Sequence, residues 1–210
     1  MNKKGNILFC GVGGQGILLA SEITSDALLA AGFDVKKSEV HGMAQRGGSV
    51  VAHMRFGEKV YSPLIEPGGA DIEVAFEELE SLRYLPYLNS KSRVIVNTQK
   101  ILPTSVAIGV EQYPADVLAE IRQRCSYVYP MDAFEIARAA GEAKAVNMVL
   151  VGALSVFLPV EEKIFLEVIG ARVPERFRKA NIEAFKKGRG LTYELHSGRQ
   201  KDLKDSAMTT

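Results

Sequence analysis

Residues 5–38 read GNILFCGVGGQGILLASEITSDALLAAGFDVKKS, and this stretch decides the fold. Residues 6–10 form a short apolar run between Gly5 and Gly11, the pattern of a buried strand. From 16 to 31 the apolar positions Ile17, Ala20, Ile23, Ala27 and Ala30 recur at helical spacing, and Gly32 stops them. Residues 33–38 read as a second strand. A strand, a glycine loop, a helix and a strand in that order favour a right-handed crossover in a parallel sheet.

The loop between the first strand and the helix is Gly11-Val12-Gly13-Gly14-Gln15-Gly16, a G-x-G-x-x-G pattern in the context that pattern requires. Glycines allow a tight turn with positive φ and let a phosphate approach the backbone, where the helix N–H groups meet an anion. A dinucleotide site also needs an acid at the end of the second strand to hold a ribose, and Glu39 is placed for that better than Asp34. Two readings stay open here: an anion or nucleotide site, or glycines that only pack the helix on the sheet. Gln15 is unusual for a dinucleotide loop.

Outward from this unit the alternation continues. Residues 49–56 alternate like a strand, and 56–61 read as a turn into a short partner strand, a hairpin. Strands are expected at 72–76, 92–97, 105–108 and 126–131. Helices are expected at 77–88, at 114–124 with Pro114 near its first position, from Asp132 as N-cap, at 145–158, at 160–169 and at 174–187, the last ended by Gly188. The result is an α/β fold: a three-layer, Rossmann-like, open and mostly parallel sheet with a hairpin insertion and C-terminal helices. It forms one domain over 1–190, followed by a polar, mobile tail over 191–210.

Composition narrows the function. A net charge of +1 gives no global pull toward nucleic acid or a membrane. No stretch nears ~18 apolar residues, and no signal peptide is visible, so a cytoplasmic protein is expected. Six acids and no base lie within 66–80, ten Lys/Arg and five acids within 171–210; both read as solvated faces, with a docking surface or an anion site near the C-terminus as the alternative. The two cysteines, Cys10 and Cys125, cannot supply the four thiolates of an iron–sulfur cluster. Cys10 reads as a small buried residue, His53 as facing solvent or a partner, and His196 as inert.

A second loop carries more information. Residues 38–50 read SEVHGMAQRGGSV and follow the second strand, on the edge where open α/β sheets bind ligands. His41, Gln45 and Arg46 come near the glycine loop, and Gly47 and Gly48 allow close backbone approach. The Arg46 guanidinium suits a carboxylate or phosphate. Asn147 leads an apolar helix and needs a defined partner.

The pair GVGGQG at 11–16 and SEVHGMAQRGGSV at 38–50 resembles the gamma-type domain of 2-oxoacid:ferredoxin oxidoreductases. The His-Gly-Met-Ala-Gln-Arg-Gly-Gly form is similar to the small (beta) subunits of the indolepyruvate branch, and Asn147 matches as well. The resemblance covers about residues 5–190. It implies an enzyme complex that converts an arylpyruvate and coenzyme A to arylacetyl-CoA, carbon dioxide and reduced ferredoxin. It places thiamine diphosphate and iron–sulfur clusters on a large partner subunit, with ferredoxin reached through the complex and no cofactor on this chain alone. No residue here is then catalytic, and the isolated chain is inactive. Gly11, Gly13, Gly14, Gln15, Gly16, His41, Gln45, Arg46, Gly47, Gly48 and Asn147 form a ligand- or partner-binding edge. The alternatives are a freestanding NAD(P)-binding Rossmann oxidoreductase and a nucleotide-binding regulatory module.

Overall fold

The computed structural model describes residues 4–41 and 48–207. In chain order the elements are β1 (Gly5–Val12), α1 (Ile17–Ala30), β2 (Asp34–His41), β3 (Ser49–Gly57), β4 (Ile72–Ala75), α2 (Glu78–Arg83) and β5 (Arg93–Asn97). Then come α3 (Thr104–Ala107), α4 (Val117–Arg124), β6 (Tyr127–Met131), α5 (Ala133–Ala139), α6 (Val146–Ser155), α7 (Glu162–Arg172) and α8 (Glu175–Ala207).

The six strands form one sheet in the order β2-β3-β1-β4-β5-β6. β1, β4, β5 and β6 are mutually parallel. β3 runs antiparallel between β1 and β2. The hairpin is therefore present, but β2 and β3 make it. Residues 60–61 form no strand; instead the Val60 amide donates to Asp34 Oδ2 at 2.9 Å.

Strand alternation assigns the two faces. Ile7 and Phe9 point into a thick layer of α1 and α5–α8, whereas Leu8 and Cys10 point into a thinner layer of α2 and α4. Loops from adjacent strands thus leave β1 and β4 toward opposite faces, which opens a crevice at their carboxyl ends.

Three boundaries differ from expectation for physical reasons. Residues 105–108 form no strand, because both sides of β5 are already paired; Thr104–Ala107 is one helical turn closed by Gly109 at φ 77°. The helix expected from 114 starts at Val117, because the Asp116 carboxylate caps it by accepting from Ala119 N at 2.9 Å. Gly188 does not end α8. A Cβ there would lie 2.0 Å from Val149 O, and one on Gly152 would lie 2.0 Å from Phe185 O. These glycines let α6 and α8 touch backbone to backbone, so α8 runs on for 33 residues, about 50 Å. Its buried stripe, Asn181, Ala184, Phe185, Gly188 and Thr192, keeps helical spacing past residue 190. The polar segment after 190 is helical to Ala207, and His196 Nδ1 pairs with Tyr129 OH at 2.9 Å.

Candidate functional site at the carboxyl edge of the sheet

The glycine loop is folded by its own side chain. Gln15 Oε1 accepts from Val12 N at 2.8 Å, and Gln15 Nε2 donates to Phe76 O at 2.9 Å and Gln99 Oε1 at 3.3 Å. One side chain thereby ties the ends of β1, β4 and β5 together across the crevice. Gln15 N donates back to Val12 O at 3.2 Å. Gly13 N donates to Gly48 O at 2.8 Å, joining the two loops that the sequence singled out. The Val12, Gly13 and Gln15 amides are therefore used internally. Gly14 and Gly16 keep theirs without a backbone acceptor among the described residues.

The glycines do separate jobs. Gly14 and Gly16 adopt φ 102° and 80°, which L-residues rarely take. Gly11 is needed for packing, since a Cβ would meet Phe76 Cβ at 2.7 Å. Gly16 is also where Asn147 comes in: a Cβ there would lie 2.7 Å from Asn147 Nδ2. The structure thus brings Gly11–Gly16, Gly48 and Asn147 together. His41 closes β2, whereas Gln45, Arg46 and Gly47 lie outside the described residues.

The ribose-binding acid is not in place. β3 intervenes between β1 and β2, which sets β2 two strand spacings, ~10 Å, from β1. Glu39 is occupied by Lys37 Nζ at 2.9 Å and Ser21 Oγ at 3.2 Å. Asp34 sits at the opposite end of β2, beside Lys36 and Val60 N. Asn97, with no exposed surface, is a structural tie: its Nδ2 donates to Phe76 O at 3.0 Å and its Oδ1 accepts from Ala133 N at 3.1 Å.

Sequence reasoning missed what lies behind this edge. Of the six acids in 66–80, Glu73, Glu77, Glu78 and Glu80 are buried rather than solvated. Cys10 Sγ donates to Glu73 Oε1 at 3.5 Å and Ser81 Oγ to Glu73 Oε2 at 2.6 Å. Burial lifts the Glu73 carboxyl to about 8 against those two hydrogen bonds. Burial, then the neighbouring Glu73, pushes the Cys10 thiol well up. Glu77 caps α2 by accepting from Glu80 N at 3.0 Å, and it also accepts from Ile101 N at 3.0 Å and Tyr113 OH at 3.1 Å. Burial raises it too, with these bonds opposing. Glu80 holds Ser49 Oγ, whose hydroxyl also meets Tyr84 OH at 3.1 Å. The signal available was alternation: Glu73 sits mid-strand between Ile72 and Val74, with both faces of that strand covered. His53 is buried as well, accepting from Ile65 N at 3.2 Å and meeting Tyr87 edge-on.

Among the described residues no group of three His, Cys, Asp or Glu is placed to hold a metal ion. Cys10 and Cys125 are both buried, and burial pushes the Cys125 thiol to about 11. The chain's own thiols do not fit an iron–sulfur cluster, which takes thiolate ligands. No helix among the described residues is long and apolar enough to cross a membrane.

Fold and edge together define an α/β domain whose glycine loop is braced from within and hydrogen-bonded to Gly48, just before β3. Residues 6–191 match the pyruvate ferredoxin/flavodoxin oxidoreductase family, and the chain belongs to that family. It is 43% identical over 187 residues to the indolepyruvate oxidoreductase subunit IorB of Archaeoglobus fulgidus, covering 87% of this chain and 92% of that one. To the IorB subunit of Thermococcus kodakarensis it is 41% identical over 191 residues, covering 89% and 95%. The 2-oxoglutarate:ferredoxin oxidoreductase of Magnetococcus marinus shares the fold, with a TM-score of 0.74 at 22% identity over 92% of this chain and 32% of that longer one. Within its family the chain is thus of the small-subunit type.

Proposed function

We propose that this chain is the small subunit of an arylpyruvate:ferredoxin oxidoreductase, with indolepyruvate as the leading substrate. It would help its complex convert arylpyruvate and coenzyme A to arylacetyl-CoA, carbon dioxide and reduced ferredoxin in the cytoplasm. The observation that carries this reading is the Gln15 brace. A dinucleotide loop needs its amides free for a pyrophosphate, and here three of them are spent holding the loop and its neighbour. A braced wall suits a chain that completes a site built mainly by another chain. The near full-length similarity to subunits named for indolepyruvate supports the substrate class.

Thiamine diphosphate on the large partner subunit would supply the carbanion-stabilising chemistry of decarboxylation, and iron–sulfur clusters there would take the electrons. This chain's part is positional. Gly14 and Gly16 offer amides, Arg46 a forked donor, and His41, Gln45, Gly47, Gly48 and Asn147 complete the binding edge toward coenzyme A or the partner. An anaerobic pull-down tests this. A stoichiometric large chain bearing thiamine diphosphate and iron–sulfur clusters is the expected companion. A chain that comes down alone and binds NAD(P)H overturns the reading in favour of a freestanding Rossmann enzyme.

A further inference from the structure

β2 is one edge of the sheet, and its outer side has no backbone partner among the described residues. It pairs with β3 residue for residue from Asp34 to His41, with no bulge and no proline. A continuous edge of this kind is a template for another strand. Lysine is a usual guard of such edges, and Lys36 and Lys37 stand here. Both are drawn along their own strand, Lys36 to Asp34 and Lys37 to Glu39, the latter at 2.9 Å. The guard is thereby neutralised. Glu39 faces Ser21 of α1, so by alternation Val40 lies on the opposite side of the sheet, where it is 55% exposed.

We infer that β2 pairs antiparallel with β2 of a second copy of this chain, with Ser38 on the two-fold axis, so that one sheet runs through both copies. Two-fold symmetry and charge select that register. The axis stands normal to the sheet and keeps each face on its own side, and residues directly opposite share a face. An odd-numbered residue therefore meets an odd-numbered one, and an even-numbered residue an even-numbered one. An axis through Lys36, Lys37 or Glu39 sets that residue against its own copy, like charge on like charge. With Ser38 on the axis, Lys37 lies opposite Glu39 of the second copy, and symmetry makes that pair twice. Glu39 has room for it: Lys37 and Ser21 of its own chain both use Oε1, which leaves Oε2 without a partner among the described residues. Lys36 lies opposite Val40, and its aliphatic stem covers that exposed side chain.

This pairing leaves the candidate site open. β2 runs parallel to β1, since β3 is antiparallel to both, so each β2 points to the carboxyl edge of its own sheet. Antiparallel pairing sends the two glycine loops to opposite ends of the joined sheet.

Sedimentation equilibrium of the full chain between about 1 and 200 µM tests the inference. Strand pairing over residues 35–41 is a small interface, so a dissociation constant of about 1–100 µM is expected. Lys37→Glu and Glu39→Lys each set like charges opposite one another, and each variant alone should dimerise about tenfold more weakly or worse. Mixed one to one they become complementary at both positions and should dimerise again. Both variants break the Lys37–Glu39 pair within the chain, so only contact between chains explains the recovery. Ser38→Cys, oxidised with diamide, should form a disulfide-linked dimer, because opposite Cα atoms in antiparallel strands lie about 4.5–5.5 Å apart. Lys36→Cys should not, and the native thiols of Cys10 and Cys125 are buried. A chain still monomeric at the upper concentration overturns the inference. So do single variants that dimerise like the parent, a mixture that stays monomeric, and cross-linking at position 36 in place of 38. The measurement needs no large partner, so its failure leaves the subunit reading standing, and failure of the pull-down leaves this interface standing.

Discussion

The two faces of the sheet solve burial differently. On the α1/α5–α8 face the core is mainly apolar, its buried polar side chains (Ser21, Thr24, Asn147, Ser155, Asn181, Thr192) being uncharged, and α6 and α8 meet through Gly152 and Gly188 with no side chain between them. On the α2/α4 face a thinner layer covers Glu73, Glu77 and Glu80, each held by hydroxyl or amide donors. The first face is stabilised by contact area, and a single added carbon disturbs it. The second depends on polar matching and is sensitive to proton uptake.

The largest expected effect is on the apolar face. Gly152→Leu drives a side chain into the Phe185 carbonyl, which cannot yield, and should cost about 3 kcal/mol or more, read from the urea midpoint. A loss below about 1 kcal/mol would mean that α6 and α8 slide apart freely, and the contrast between faces would fail. Next comes the brace at the edge between them. Gln15→Ala strands Val12 N and should cost about 2 kcal/mol, with faster amide exchange at Val12 and Gly13. Unchanged exchange there would show that the loop holds its shape without Gln15.

The acidic face should announce itself through pH. The folded Glu73 carboxyl titrates near 8 against an ordinary value of 4.5, so the folded state holds the proton more tightly than the unfolded chain. That stability is fully present below the ordinary value and is lost as pH rises through about 8. Glu77 shifts in the same direction and adds to the slope. Glu73→Gln should flatten much of this loss, leaving the variant ahead of the parent by at least about 1.4 kcal/mol near pH 9. Parallel pH profiles for the two proteins would remove Glu73 from the account. The smallest effect is at the far end of α8. Tyr129→Phe loses the bond to His196 and should cost about 1 kcal/mol, with earlier amide exchange around residues 190–199.

The same contrast explains what the sequence made legible. Periodicity reports apolar contact, so β1, α1 and the helices of the thick layer could be placed from Ile17, Ala20, Ile23 and Ala27 and their counterparts. It does not report why a glycine is present. Gly188 has the composition of a stop signal, yet it is a helix–helix contact, because only the distant Val149 carbonyl explains it. Burial of a charged side chain is equally silent: Glu73 needs Cys10 and Ser81, 63 and 8 residues away in sequence, to be tolerated. At the candidate site Gly11–Gly16, Gly48 and Asn147 were singled out in the sequence and lie together in the structure, whereas Gln45, Arg46 and Gly47 lie outside the described residues. Gln15 was noticed as unusual, but its role as a brace depends on Phe76 and Gln99, which no local pattern links to it. The antiparallel β3 removed the ribose-binding geometry that the loop pattern alone suggested.

The most direct test of the central claim is reconstitution. The purified chain is titrated into its purified large partner under anaerobic conditions, and arylpyruvate- and coenzyme A-dependent reduction of ferredoxin or a dye is followed. No activity is expected from this chain alone; with the large chain, activity should rise as this one is added and saturate at a fixed ratio, with no response to NAD(P)H. Full activity of the large chain without this one, or NAD(P)H turnover by this chain alone, would contradict it.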